Sequence, residues 1–242
     1  MKVLVVIPAR YASTRFPGKP LVKIAGNPMV QHVYERCAAA IGIDRVIVAT
    51  EDQRVLGVCT AFGGHAELTA ASHVSGTDRV AEVAARHPDF DAVLNVQGDE
   101  PAMEPQTVSA VANLLSDHSV SISTAITLFT EDEQVSSPNA VKVVVSATGD
   151  ALYFSRSVIP YFRNESPAKT AYFRHLGIYG FRRETLLTVT RLPPSDLERA
   201  ESLEQLRWLE AGYRIRCVLV SSRSSGVDTP EDLANLLKST HL

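Results

Sequence analysis

Lys2 to Pro8 reads KVLVVIP, and it runs straight into PARYASTRFPGKP, Pro8 to Pro20. The first string is a near-continuous apolar run, the pattern of a strand buried on both faces of a helix-covered parallel sheet. The second, with Gly18 and small residues between its cations, reads as the loop leaving that strand. Working outward, Asn27-Pro28 supplies an N-cap and a first-turn proline for a helix to about Ala40. Asp44 to Thr50 is a second strand and Asp52 to Phe62 a second helix, ended by Gly63-Gly64. His65 to Thr69 reads as a short third strand, Thr77 to His87 as a helix, and Asp91 to Gln97 as a fourth strand. This βαβαβαβ succession implies a parallel sheet with right-handed crossovers and helices on both faces.

Beyond it the pattern is less regular. Val120 to Phe129, Ala140 to Ser146, Ala151 to Phe154 and His175 to Phe181 read as strands, with a short helical connection between the first two. Leu197 to Ala211 reads as one long helix, Tyr213 to Val220 as a strand, and Pro230 to Ser239 as a closing helix capped by Asp228 or Thr229. The expectation is one α/β domain over residues 1–242, a mostly parallel central sheet with helices on both faces plus a small β-rich lobe.

The 242 residues carry 24 Lys+Arg against 27 Asp+Glu, a formal charge of −3. That balance offers no clustered basic charge for nucleic acid or an anionic membrane surface. No apolar run approaches the roughly 18 residues of a membrane span, and MKVLVVIPAR reads as a strand and not as a signal peptide. Three cysteines (Cys37, Cys59, Cys217) without a CxxC pair point to a reducing cytoplasm.

In open α/β sheets ligands gather beyond the carboxyl ends of the strands. After the first strand stand Arg10, Arg15 and Lys19, three fixed cations in a loop whose backbone N–H groups suit a polyphosphate. The string is neither a GxxxxGK[ST] loop nor a GxGxxG fingerprint. After the fourth strand, Gln97-Gly98-Asp99 places a carboxylate where Mg²⁺ is held against phosphate oxygens, although Gly-Asp also makes ordinary turns. Ser75-Gly76-Thr77-Asp78-Arg79 opens a helix, either to meet polar ligand atoms or as a plain N-cap. Arg156 and His175 at strand ends suit a second, acidic substrate, or are a surface arginine and a structural histidine. Glu201, Glu204, Gln205 and Arg207 read as a charged helix face, and Asp228 as a cap or a metal ligand. The residues alone reach a nucleotide-handling α/β enzyme, with nucleotidyl transfer one of the reactions open to it.

The strings PARYASTRFPGKPL, SGTDR, NVQGDEP, ALYFSRSVIP, RHLGIYGF, LEQLR and GVDTPEDL follow one another from end to end. Together they resemble the 3-deoxy-manno-octulosonate cytidylyltransferase family, whose members make CMP-KDO for lipopolysaccharide. The resemblance implies a nucleotide-diphospho-sugar transferase-like fold, with a nucleotide-binding part at about 1–115 and a sugar-binding and dimerisation part at about 116–225. It implies that Pro8, Ala9, Arg10, Arg15 and Lys19 cradle CTP, that Ser75, Gly76 and Arg79 lie near the cytosine, and that Asp99 and Asp228 bind Mg²⁺. Gln97, Arg156, His175, Tyr179, Glu204 and Gln205 would form the sugar site of a cytoplasmic homodimer. Of these, Arg10, Arg15, Lys19, Asp99 and Asp228 would carry the catalysis. The stretch from Tyr161 to Phe173 is short for this family.

Two other readings stand beside this one. The acceptor is a related acidic sugar, such as 8-amino-KDO or sialic acid, or the chain is a non-catalytic sugar-nucleotide binding domain. The five charged residues kept at the phosphate and metal positions argue against the latter. A glycosyltransferase of similar architecture would place its metal in a DxD motif, which the chain lacks.

Overall fold

The computed structural model describes residues 1–12, 16–130, 133–164, 172–222, 226–227 and 229–238. In chain order the elements are β1 (Val3–Pro8), a 3₁₀ turn at Lys19–Leu21, β2 (Lys23–Ile24), β3 (Asn27–Pro28), α1 (Met29–Ala38), β4 (Arg45–Thr50) and α2 (Gln53–Ala61). Then follow β5 (Ala66–Leu68), α3 (Gly76–Arg86), β6 (Ala92–Val96), α4 (Pro105–Leu114), β7 (Ile122–Leu128), β8 (Lys142–Val145) and β9 (Ala151–Ser155). The chain continues through β10 (Phe173–Arg182), α5 (Arg183–Val189), α6 (Asp196–Glu201), α7 (Gln205–Glu210), β11 (Ile215–Leu219) and α8 (Pro230–Lys238).

β1 lies in the middle of a sheet ordered β11-β7-β10-β6-β1-β4-β5, and all six of its residues are buried. Its alternation explains the layers. Val3, Val5 and Ile7 face a core shared with Val30 and Val33 of α1, Val55 of α2 and Val108 and Val111 of α4. Leu4 and Val6 face the other core, with Val80 and Val83 of α3, Leu186 of α5 and Leu206 and Trp208 of α7. Period-two burial on both faces requires the all-apolar string seen at Val3–Ile7.

The pairs β1–β4, β1–β6, β4–β5 and β7–β11 are parallel, and β10 runs antiparallel between β6 and β7. The β8–β9 hairpin hangs on the start of β10 and forms the small β-rich lobe. The carboxyl ends of β1, β4, β5, β6 and β7 therefore share one edge of the sheet with the first residues of β10.

Four sequence expectations are corrected. Asn27 is not a helix cap: Ala25 and Gly26, both at positive φ, close a two-residue hairpin in which Asn27 pairs with Ile24, and α1 starts at Met29. Pro105 opens a helix, α4, where none was expected. No helix joins β7 to β8 among the described residues, where Glu133 Oε2 accepts from Thr130 N (2.7 Å) and Oγ1 (2.9 Å). The expected helix Leu197 to Ala211 breaks at Ser202, whose φ of 51° is left-handed. That break lets Leu203 and Leu206 turn inward while α6, with no buried residue, stays on the surface. The closing helix is capped by Thr229, whose Oγ1 accepts from Asp232 N at 3.2 Å. No helix of the described residues is long and apolar enough to cross a membrane.

Candidate active site

The loop after β1 is anchored at both ends. Ala9 N donates to Ala49 O (2.9 Å), Tyr11 N to Glu51 Oε1 (3.0 Å), and Gly18 N to Tyr11 O (2.9 Å). Gly18 holds φ at +71°, a left-handed turn that favours glycine, and packs on the Tyr11 ring. Lys19 follows, and its Nζ lies 2.6 Å from Asp99 Oδ2. The first cation loop and the acidic strand end thus meet in space although 80 residues separate them. Gly98 permits the approach: a Cβ there would come within 2.8 Å of Pro8 O. Pro8 and Ala9 are buried and Arg10 is partly exposed. Arg15 lies outside the described residues.

Ser75 caps α3 in a reciprocal box: its Oγ accepts from Asp78 N and Asp78 Oδ2 accepts from Ser75 N, each at 3.0 Å. Gly76 packs against Pro8 and Gln97, which brings this helix start to the same edge as the phosphate loop. Arg79 is 1% exposed. Its guanidinium pairs with Glu51 at 3.0 Å and donates to Thr69 Oγ1, while its Nε has no partner. Burial lowers the Arg79 pKa, with Glu51 opposing and nearby Arg10 adding to the effect.

On the other side of β6, residues of the expected sugar cluster converge. His175 Nε2 lies 3.0 Å from Thr124 Oγ1, which donates to Ile178 O at 2.7 Å. Because the hydroxyl has one proton, Nε2 is the donor to it and Nδ1 is left as the acceptor. The ring stacks edge-on against Phe154, and burial holds the imidazole pKa down at about 3, so it is neutral. Tyr179 Oη is buried with no hydrogen-bond partner, and burial pushes its pKa far up. Glu204 Oε2 accepts from Thr77 Oγ1 at 2.5 Å; burial raises its pKa against the opposing pull of Thr77, Arg207 and Ser75. Gln205 is buried beside it.

Arg156 stands differently. Its Nε, Nη1 and Nη2 donate to the carbonyls of Glu201 (2.7 Å), Pro138 (2.8 Å) and Ser202 (3.3 Å). Glu201 in turn accepts from Ser155 Oγ (2.5 Å) and Arg156 N (2.9 Å), tying the end of β9 to α6. Lys142, fully buried, adds an Nζ bond to Ser137 O at 2.9 Å. Sequence reading missed Glu51, Thr124, Lys142 and Asn95 as parts of this assembly. Glu51 was findable, since it directly follows β4 and the strand-end rule applies to it as to Asp99. The others sit inside strands, where nothing separates them from core positions.

Asp228 lies outside the described residues. Val227, its neighbour in sequence, donates to Asp99 O at 2.8 Å. Two carboxylates offer hard oxygen donors, the chemistry that suits Mg²⁺.

An α/β sheet with a cation loop, a carboxylate and a second polar cluster along one edge defines a nucleotidyltransferase class of site. The family model described as "Cytidylyltransferase" matches residues 4–215. A 3-deoxy-manno-octulosonate cytidylyltransferase of Geobacter metallireducens is 50% identical over 98% of this chain and 97% of its own length. The Myxococcus xanthus protein of the same name is 49% identical over 96% of this chain and 94% of its own. Among solved structures, a CMP:2-keto-3-deoxy-manno-octonic acid synthetase complexed with CTP superposes with a TM-score of 0.92 and 45% identity, covering 98% of both chains. A 4-diphosphocytidyl-2C-methyl-D-erythritol synthase from Anaerococcus prevotii, 11% identical with a TM-score of 0.64, shares the fold. The chain belongs to the 3-deoxy-manno-octulosonate cytidylyltransferase family.

Proposed function

We propose that this chain transfers CMP from CTP to 3-deoxy-D-manno-octulosonate, releasing pyrophosphate and CMP-KDO for lipopolysaccharide synthesis. Beyond family membership, the observation that carries the reading is the 2.6 Å contact between Lys19 and Asp99, a phosphate cation beside a carboxylate at the sheet edge. The anomeric hydroxyl of the sugar attacks the α-phosphorus of CTP, and pyrophosphate leaves in line. Such a step depends on positioning and on stabilising charge at the phosphoryl oxygens and leaving group.

In this reading Pro8 and Ala9 shape the loop floor, and Arg10, Arg15 and Lys19 bind the triphosphate. Lys19 meets the charge that grows on the pyrophosphate. Ser75 and Gly76 lie near the cytosine, and Arg79 holds that corner through Glu51. Asp99 and Asp228 are the residues to hold Mg²⁺, which when bound neutralises phosphate charge and lowers the pKa of the attacking hydroxyl. Gln97, His175, Tyr179, Glu204 and Gln205 line the sugar site, and Arg156 supports it at the end of β9. The neutral imidazole of His175 offers Nδ1 to a sugar hydroxyl.

A cytoplasmic location is the reading that the three buried, unpaired cysteines and the nucleotide substrate support. A homodimer is supported by β9, which pairs only with β8 along its length among the described residues. Leu152 on it (61% exposed) and Tyr161 beyond it (87%) offer apolar surface to a second copy. The test of function is Lys19→Ala assayed with CTP and KDO. Turnover near the parent's would remove the phosphate role of the loop.

A further inference from the structure

Four side chains on one face of the sheet form a continuous hydrogen-bonded chain. Gln97 Nε2 donates to Asn95 Oδ1 (3.0 Å), Asn95 Nδ2 to Thr77 Oγ1 (3.3 Å), and Thr77 Oγ1 to Glu204 Oε2 (2.5 Å). The two middle members are closed off from solvent, Asn95 at 1% and Thr77 at 3% exposure. They come from different places: Asn95 from the body of β6, Thr77 from the first turn of α3, immediately after Ser75-Gly76.

The donors all point one way. Gln97 spends one amide N–H on Asn95, Asn95 one of its own on Thr77, and Thr77 its single proton on Glu204. The groups left open are the carbonyl and second amide N–H of Gln97 at one end and, at the other, the remaining lone pairs of the Glu204 carboxylate, which the Ser75 hydroxyl also engages. Acceptors at both ends and an amide donor at one, held at fixed places, match hydroxyl groups, which both donate and accept, so the chain suits a polyol. Tyr179 stands directly opposite Asn95 in the β6–β10 register, on the same face. Its buried hydroxyl, with no partner of its own, adds a further group for the same ligand.

We infer that Thr77 and Asn95 are positioning residues that set the orientation of Gln97 and Glu204 toward the hydroxyls of the acceptor sugar, anchoring the sugar site to the helix that carries the nucleotide turn. The inference rests on the sugar-site reading of Gln97 and Glu204 and deepens it. Thr77→Val keeps the shape but removes the bridging hydroxyl, leaving the Asn95 amide without that acceptor and the Glu204 carboxylate without its Thr77 bond. The capping box at Ser75 and Asp78 does not involve the Thr77 hydroxyl, so the nucleotide turn survives the change.

The experiment measures turnover and half-saturation for KDO and for CTP in the parent, Thr77→Val, Thr77→Ser, Asn95→Asp and Glu204→Gln, with melting temperatures as a folding check. Misplacing the acceptors should raise the KDO half-saturation by about 10-fold or more in Thr77→Val. The CTP value should stay within threefold, and Thr77→Ser, which keeps the hydroxyl, should recover the parent's KDO value. Asn95→Asp, which cannot donate to Thr77, carries the same expectation and serves if Thr77→Val does not fold. A KDO value unmoved by Thr77→Val and Asn95→Asp while Glu204→Gln raises it overturns the inference alone. Equal damage in Thr77→Val and Thr77→Ser also overturns it. A KDO value unmoved by Glu204→Gln removes the sugar-site reading and the inference with it.

Discussion

Replacing Glu51 by Ala would test how the phosphate loop is held. Glu51 does two things at once: its Oε2 pairs with Arg79 at 3.0 Å and its Oε1 accepts from Tyr11 N at 3.0 Å. The Arg79 side chain is 1% exposed and that of Glu51 15%, so the truncation leaves a buried guanidinium with only Thr69 beside it. Stranding one partner of a buried ion pair costs about 3–5 kcal/mol, here at the low end because Glu51 is partly wet. The lost acceptor of the Tyr11 N–H adds about 1 kcal/mol. For a domain of this size each kcal/mol is worth roughly 2–4 °C, so a total of about 3–4 kcal/mol lowers the melting temperature by roughly 6–16 °C. Glu51→Gln keeps an acceptor for Tyr11 but not the charge. It should melt slightly above Glu51→Ala and retain a near-parent CTP half-saturation, whereas Glu51→Ala raises that value several-fold. The assay is thermal unfolding with both half-saturation curves. A drop below about 3 °C in Glu51→Ala, or equal CTP values in the two variants, would refute the coupling.

Lys19→Ala, removing a charge aimed at the leaving pyrophosphate, should lower turnover by about 10²–10³-fold; steady-state rates at saturating CTP check this. Asp99→Asn should abolish Mg²⁺-dependent activity while melting close to the parent, since Asn still accepts from Lys19, and a Mg²⁺ titration of activity reads the difference. His175 is held near a pKa of about 3 by burial, below its unfolded value of roughly 6.5. Its contribution is therefore present above about pH 6.5 and lost as pH falls toward 3. Between pH 7 and 5.5 the parent should lose roughly 1 kcal/mol more unfolding free energy than His175→Asn, as denaturant titrations at the two pH values would show.

The doubly wound half was legible because β1, β4 and β6 are apolar strings that alternate with amphipathic helices, and burial on both sheet faces demands that pattern. Ser75, one of the two caps open to its helix, and Asp52, read as the first residue of its own, both cap: their side chains accept from Asp78 N and Arg54 N. The second half hid its structure in long-range effects. Beside the break at Ser202, Glu201 is held by Ser155 at the end of β9 and by Arg156 just beyond it, contacts 46 and 45 residues away that no local propensity records. α4 was missed because its first turn follows Gln97-Gly98-Asp99-Glu100-Pro101 and reads as more of the same loop. At the site, the loop after β1 and the acidic turn after β6 could be picked out one by one, but their meeting through Lys19 and Asp99 is a product of the β1–β6 pairing. Arg156 was readable as a strand-end cation, yet its engagement with three main-chain carbonyls follows only from the packing of α6. Thr77 and Asn95 look like an ordinary first-turn threonine and a strand interior residue, and only the hydrogen-bond directions give them a part.

Pyrophosphate release from CTP, followed with KDO, 8-amino-KDO or N-acetylneuraminate as acceptor in the presence of Mg²⁺, decides whether this chain makes CMP-KDO. Release should require both CTP and an acceptor, be fastest with KDO and be accompanied by equimolar CMP-KDO. Release no faster with KDO than with CTP alone, or faster with N-acetylneuraminate than with KDO, would contradict it.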